Sequence, residues 1–303
     1  MPQPSENMKQ LLEQLATEDA DLMDPTLMLP QYGRTFVAMY MDKWNRRLPQ
    51  VATARTIIQD EKPARRIVPE NDKGTDAILY IHGGGWSFCS PSTHESFARR
   101  LAIACACPIL MPAYRLAPEY PWPAGLLDVM SVWSSVQTSE RRWSISGESA
   151  GANLALAAIL RMIREKAPLP FSGLLFYGAY GADFNSESYL SFAEGPRLSR
   201  SQMIRYWDWY AHEELRIDPE VAPLVASDSS LELLPPLYLN SAALDPLLSD
   251  TEQLVARLRA IGRADVYHCV DGVIHGFMQM GNSLREARTA FKNCGAAFLH
   301  FSA

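Results

Sequence analysis

The stretch Ser144-Ile145-Ser146-Gly147-Glu148-Ser149-Ala150-Gly151-Ala152-Asn153 decides how the rest of this chain is read. A short strand pattern runs into G-E-S-A-G and then, with no spacer, into residues 154–160, which are apolar on every face and so read as a buried helix. Strand, sharp turn and helix in direct succession give a five-residue G-x-S-x-G match the context of a nucleophile elbow. Ser149 then has to adopt a strained backbone conformation that lifts its hydroxyl out of the sheet. A side chain at position 147 or 151 would collide with the neighbouring strand or helix, and glycine at both removes the collision.

Outward from the elbow the chain alternates. Residues 77–81 are continuously apolar, as a strand covered on both faces should be. A helix over 93–106 aligns Phe97, Leu101 and Cys105, a strand follows at 108–111, and a helix at 124–136 leads back to the elbow. Further strands are expected at 171–177, 236–241 and 265–270, with helices at about 249–261 and 283–300. Residues 55–58 and 66–68, separated by Asp60-Glu61-Lys62-Pro63, suggest an antiparallel pair opening the sheet. Alternating strands and helices predict an α/β fold with a mainly parallel sheet and helices on both faces.

Two pieces stand outside the alternation. Met8, Leu11, Leu12 and Leu15 recur at helical spacing behind Ser5 or Asn7 as a cap, and a second helix puts Phe36, Val37, Tyr40, Met41 and Trp44 on one side. The segment 181–220 lacks a central-strand pattern and carries Met203, Ile204, Tyr206, Trp207, Trp209 and Tyr210 in a helix starting near Ser199 or Ser201. Ligands of open α/β sheets bind at the carboxyl ends of the strands, so two or three of these aromatics are expected to line a pocket there.

Composition bounds the function. At 303 residues, 48% hydrophobic and 20% charged, one catalytic domain with additions is favoured over two independent ones. A formal charge of -6 offers no broad basic surface, so nucleic acid is not expected as a partner. Five unevenly spaced cysteines are too few for a disulfide framework, and Cys105 and Cys107 read as small core residues rather than metal ligands. The first residues have no basic region followed by an apolar one, the first helix has an acidic polar face, and no run reaches ~18 apolar residues. The expectation is a cytoplasmic protein without a membrane partner.

Directly after the strand at 77–81 comes His82-Gly83-Gly84-Gly85-Trp86. Three successive glycines cost backbone entropy, which suits a loop whose amides must approach a ligand closely. Acyl transfer needs donors aimed at a developing oxyanion, and the N–H groups of Gly83, Gly84 and Ala150 could supply them. A phosphate cradle competes poorly, because no Walker Lys-Ser/Thr follows. A serine also needs a base. In the order Ser, acid, His the candidates are His212, His268, His275 and His300, and His275 lies in a short loop beyond the strand ending at Val270. Asp245 follows the strand 236–241 at the same edge and could hold the imidazole tautomer, with Asp250 and Asp271 as rival acids.

The motifs H-G-G-G-W at 82–86, Y-R-L-A-P-E at 114–119, G-E-S-A-G at 147–151, D-P-L at 245–247 and H-G-F at 275–277 together resemble the hormone-sensitive-lipase-like family of α/β-hydrolases, the bacterial carboxylesterases. The resemblance runs from about residue 54 to the C-terminus. It implies an α/β-hydrolase with a mostly parallel eight-stranded sheet and a helical cap, the cap being residues 1–50 plus the 181–220 insertion on a catalytic domain of residues 51–303. It implies Ser149, Asp245 and His275 as catalytic residues and Gly83, Gly84 and Ala150 as oxyanion donors. Arg115, Pro118 and Glu119 are read as loop support. Glu148 and Cys89 depart from the commoner Asp and Gly, and either could reshape the acyl pocket.

The leading expectation is a serine carboxylesterase acting on short-chain acyl esters, with Trp86, Glu148, Trp207 and Trp209 in the substrate pocket. An amidase or arylformamidase on the same triad is the related alternative. A non-catalytic small-molecule receptor on a hydrolase fold is the alternative of another class, disfavoured because Ser149, Asp245 and His275 are all present. No metal or organic cofactor is implied, since the triad supplies nucleophile, base and oxyanion stabilisation. A strand at 265–270, late in the sheet, leaves an edge at which a homodimer could form.

Overall fold

Residues 2–303 are described by a computed structural model. Two helices, α1 (Glu6–Glu18) and α2 (Pro30–Met41), precede the first strand. Then follow β1 (Thr53–Gln59), β2 (Lys62–Val68), β3 (Asp76–Ile81), α3 (Glu95–Cys105), β4 (Ile109–Pro112), α4 (Ala124–Val136), β5 (Arg142–Glu148), α5 (Ala150–Glu165) and β6 (Gly173–Phe176). After β6 come three helices with no strand among them, α6 (Glu187–Ser191), α7 (Arg200–Tyr210) and α8 (Asp228–Glu232). The chain returns through β7 (Leu237–Leu244), α9 (Leu248–Ala260), β8 (Val266–Ile274) and α10 (Arg285–Ser302).

The eight strands form one sheet in the order β1-β2-β4-β3-β5-β6-β7-β8. β2 runs antiparallel to both β1 and β4, and every other pairing is parallel. The opening hairpin turns on Asp60 and Glu61, both at positive φ, the geometry that matches the twist of two antiparallel strands. Helices α4, α5 and α9 cover one face, while α3, α10 and α1 cover the other. Residues 150–160 are all buried, as an all-round apolar helix requires.

Strand β8 is the sheet edge and is longer than its sequence suggests. Ala242 pairs with Val270 and Leu244 with Ile274, so β8 carries two more residues than β7 across this interval. The bulge contains Asp271 and Gly272, the latter at φ 66, and the strand then resumes. A turn signal inside a strand is what made residue 270 look like its end. The bulge also anchors α1, because Ser5 N–H donates to the Gly272 carbonyl at 2.9 Å while the Ser5 hydroxyl caps the helix by accepting from Met8 N–H.

Candidate active site

The parallel strands deliver four segments to one edge of the sheet. β5 ends in Ser149, β3 in the glycine loop, β7 in Asp245 and β8 in His275. Ser149 has φ 56 and ψ −124, far from the ordinary regions for a residue with a Cβ. Its N–H donates to the Phe176 carbonyl at 2.9 Å, and its carbonyl accepts from Ala152 N–H at 3.0 Å, so the turn is fixed from both sides. A Cβ on Gly147 would run into the Gly151 carbonyl, and one on Gly151 into the Ile81 carbonyl, as the sequence anticipates.

Ser149 Oγ lies 3.0 Å from His275 Nε2, and His275 Nδ1 lies 2.7 Å from Asp245 Oδ2. The carboxylate only accepts, so Nδ1 carries the proton and Nε2 is left to accept from the serine hydroxyl. Asp245 is fully buried, and its other oxygen accepts from Leu247 N–H at 2.9 Å, which fixes the carboxylate plane. Burial pulls the His275 pKa down, but the charge and hydrogen bond of Asp245, helped by the charge of Glu148, outweigh it and hold the imidazole above its usual 6.5.

The rival acids are elsewhere. Asp271 is exposed in the β8 bulge. Asp250, in the first turn of α9, accepts from Gly181 N–H at 2.8 Å and ties down the start of the stretch between β6 and β7. Burial pushes its carboxyl up to about 8, against the pull of the Gly181 and Tyr180 amides. Of the other histidines, His212 and His300 are exposed and His268 stays within β8.

The glycine loop differs from expectation. Gly83 N–H is spent on the Glu148 carboxylate, and Gly83 does not border the cavity beside Ser149, so it is not available to an oxyanion. Gly84, at φ 109, and Gly85, at φ 59, border that cavity, and neither N–H has a partner among the described residues. Ala150 borders it too, and its N–H, at the first position of α5, has no partner within the helix. Glu148 also lies 2.9 Å from His94 Nε2, both side chains being buried, so one carboxylate ties the loop after β3 to the elbow and to the N-terminus of α3. Sequence alone gave no sign of this role. Cys89, noted for standing where Gly is commoner, has φ 70, a conformation glycine adopts without strain.

The cavity over Ser149 has a volume of about 560 Å³. Its far wall comes from α1, α2 and α7, including Leu15, Phe36, Tyr40, Met203 and Tyr206. Trp86 and Glu148 border it, as expected, but Trp207 and Trp209 do not. The reason is helical phase. Ser199 caps α7 with Gln202 in a reciprocal capping box, and this sets Met203, Trp207 and Tyr210 inward. Trp207 meets Trp86 edge-on at 4.8 Å, and Tyr210 stacks on that indole at 4.3 Å. Trp209 packs beside Phe88 instead. Ion pairs join the covering pieces, Asp19 of the α1 C-terminus reaching Arg197 at 3.0 Å while Asp24 meets Arg205. Arg34 of α2 donates to the Ser87 carbonyl at 2.9 Å and pairs with Glu119, giving that residue the supporting part expected of it.

Cys105, Cys107 and Cys294 are buried and unpaired. Among the described residues no group of three or more His, Cys, Asp or Glu is placed to hold a metal ion, and no helix is long and apolar enough to cross a membrane.

With this geometry in hand, a family model for the alpha/beta hydrolase fold matches residues 78–279. The chain belongs to the hormone-sensitive-lipase-like family of α/β-hydrolases. It is 30% identical over 239 residues to the carboxylic ester hydrolase LipN of Mycobacterium tuberculosis, an alignment covering 73% of this chain and 62% of LipN. It is 31% identical over 212 residues to the carboxylesterase NlhH of the same species, covering 66% of each. The chain thus spans a little under two thirds of these relatives' length. An ester-hydrolase from the metagenome of Lake Arreo, solved in complex with a derivative of bipyridine phosphonate, is similar throughout, with a TM-score of 0.89 and 26% identity over 99% of this chain and 100% of that one.

Proposed function

We propose that the protein is a serine carboxylesterase that hydrolyses short-chain acyl esters through an acyl-enzyme. The observation that carries the proposal is the continuous hydrogen-bonded line from Ser149 Oγ through His275 to Asp245, at 3.0 and 2.7 Å, with the serine held at a strained φ of 56. His275 Nε2 takes the proton of Ser149 as Oγ attacks the ester carbonyl. The oxyanion receives the N–H groups of Gly84, Gly85 and Ala150, each such donor contributing about 2.7–4 kcal/mol of barrier lowering. As the tetrahedral intermediate collapses, His275 gives its proton to the departing alkoxide. Water, deprotonated by the same imidazole, then attacks the acyl-enzyme, and collapse of the second intermediate restores the Ser149 hydroxyl and frees the acid.

The reading assigns residues 51–303 to the catalytic domain, and residues 1–50 with the 181–220 segment to a cap. Leu15, Phe36, Tyr40, Met203 and Tyr206 support a limit on acyl length, because they close the cavity opposite the nucleophile. A methylene that fits gains at most ~0.8 kcal/mol, and the first that does not costs ~1–3 kcal/mol. Hydrolysis of p-nitrophenyl esters of increasing chain length, alongside the matching anilides, tests this. Activity should peak at acyl groups of about two to six carbons and fall steeply beyond. A preference for hexadecanoyl esters would remove the chain-length limit, and faster cleavage of anilides would make the protein an amidase.

A further inference from the structure

The cavity contains one buried polar side chain that neither the esterase chemistry nor any neighbouring group engages. Gln279 sits on the 3₁₀ turn Phe277–Met280, directly after His275 and Gly276, and borders the cavity with 5% of its surface exposed. Neither Oε1 nor Nε2 has a hydrogen-bond partner. Gln279 is the only side chain among the described residues that both borders this cavity and has buried polar atoms without a partner.

Most of the charged and amide groups around it are engaged, and Glu194, which is not, is exposed to solvent. Asp19 holds Arg197, Asp24 holds Arg205, Glu148 holds Gly83 and His94, and Gln202 closes the capping box. A buried amide left without partners costs free energy comparable to a lost hydrogen bond, and a site that keeps one is completed by whatever enters it. A carboxamide offers one donor and one acceptor side by side, so its natural complement is a group that both accepts and donates.

We infer that Gln279 is a substrate-recognition residue and that the preferred esters carry an uncharged hydroxyl or amide group on the acyl or the alcohol part. The inference rests on the esterase reading above and names its substrate class. Anionic groups are disfavoured, because Asp19, Asp24, Glu148 and Glu194 border the cavity against the single guanidinium of Arg197.

The test compares kcat/KM within two matched pairs, a butanoate against a 3-hydroxybutanoate of the same alcohol, and a butanoate of an alkanol against that of the corresponding diol. Wild type should favour the hydroxylated member of at least one pair by about tenfold, since a site built to hydrogen-bond a hydroxyl rejects the analogue that lacks it. In Gln279→Met, which keeps the volume and loses the carboxamide, that ratio should fall to about one. Gln279→Leu should behave alike, and thermal unfolding of both variants shows that the fold persists. The pair that responds tells which side of the ester Gln279 reads. Equal rates within both pairs for wild type, or an unchanged ratio in a folded Gln279→Met, would overturn the inference while leaving the esterase intact. Hydrolysis of none of the four esters would instead strike the esterase reading itself, and this inference with it.

Discussion

In the turn after β5 the backbone itself sets the geometry of the candidate site. Ser149 is held at positive φ between two glycines that have no room for a Cβ, its partners follow β7 and β8, two and three strands along the sheet, and Asp245 is fully buried. The cover over the same cavity is made differently. In the 3₁₀ turn Pro25–Leu27 and in α2, Leu27 and Met39 are each 73% exposed and Tyr32 64%, and the pieces are joined by side-chain ion pairs such as Asp19 with Arg197 and Asp24 with Arg205. A site fixed by main-chain geometry tolerates almost no change, whereas a cover joined by partly exposed charge pairs can be altered at small cost. In the proposed esterase, chemistry and selectivity thus rest on supports of unequal rigidity, and substitutions in the two regions should differ in size and in kind.

The sharpest break of that contrast is expected at the acid. Asp245→Asn should reduce turnover up to ~10⁴-fold by analogy with serine-protease triads, because the imidazole then settles in the wrong tautomer. Steady-state kinetics check this, and an equal loss in Asp250→Asn or Asp271→Asn would move the acid elsewhere.

The next effect is expected in the loop. Glu148→Ala frees Gly83 N–H and removes the partner of His94, so the loop carrying Gly84 and Gly85 loses its tie to the elbow. A fall of about 10²-fold in kcat with little change in KM is expected, as for partial loss of an oxyanion donor, with Glu148→Gln less affected because its amide oxygen still accepts from Gly83.

The pH profile sharpens the comparison without a large loss of rate. His275 must be neutral to take the Ser149 proton, and its pKa is raised above 6.5, so activity is lost as pH falls through that raised value. The acid limb of kcat/KM should therefore lie above 6.5 in wild type. Glu148→Gln removes one of the raising charges and should move the limb downward. A limb that stays in place would show that Glu148 acts through the loop alone.

The smallest effect belongs to the cover. Arg197→Ala breaks the largely buried pair with Asp19 and the stacking on Tyr40, but Asp19 keeps Lys43 at 2.7 Å, so stability should change by only about 1–2 kcal/mol. What should move is the acyl-length profile, with longer chains gaining relative to short ones. A large drop in melting temperature with an unchanged profile would contradict the distinction between the two regions.

What could be read from the residues follows the same line. That Ser149, Asp245 and His275 meet at one edge of the sheet is legible in the sequence because each lies just past a strand, and parallel strands bring such positions together. The Gly83 amide reads from sequence as an oxyanion donor because its partner Glu148 is distant in the chain and meets it only once β3 and β5 pair. Trp207 and Trp209 read from sequence as pocket residues because aromatics occupy several faces of α7, and the phase that Ser199 and Gln202 set is not visible in their spacing. In the β8 bulge, Asp271-Gly272 carried a turn signal that the neighbouring strand overrides. Gln279 gave no signal at all, since an unpartnered amide is visible only once its surroundings are known.

The central claim is that Ser149, and no other residue, is the nucleophile. Intact-mass measurement of wild type and Ser149→Ala after exposure to an organophosphonate tests it most directly, because a serine hydrogen-bonded to a base displaces the leaving group and keeps the phosphonyl group. Wild type should gain one adduct and the variant none, with the label recovered on the peptide that contains Ser149. Equal labelling of the two proteins, or an unlabelled wild type, would contradict the account.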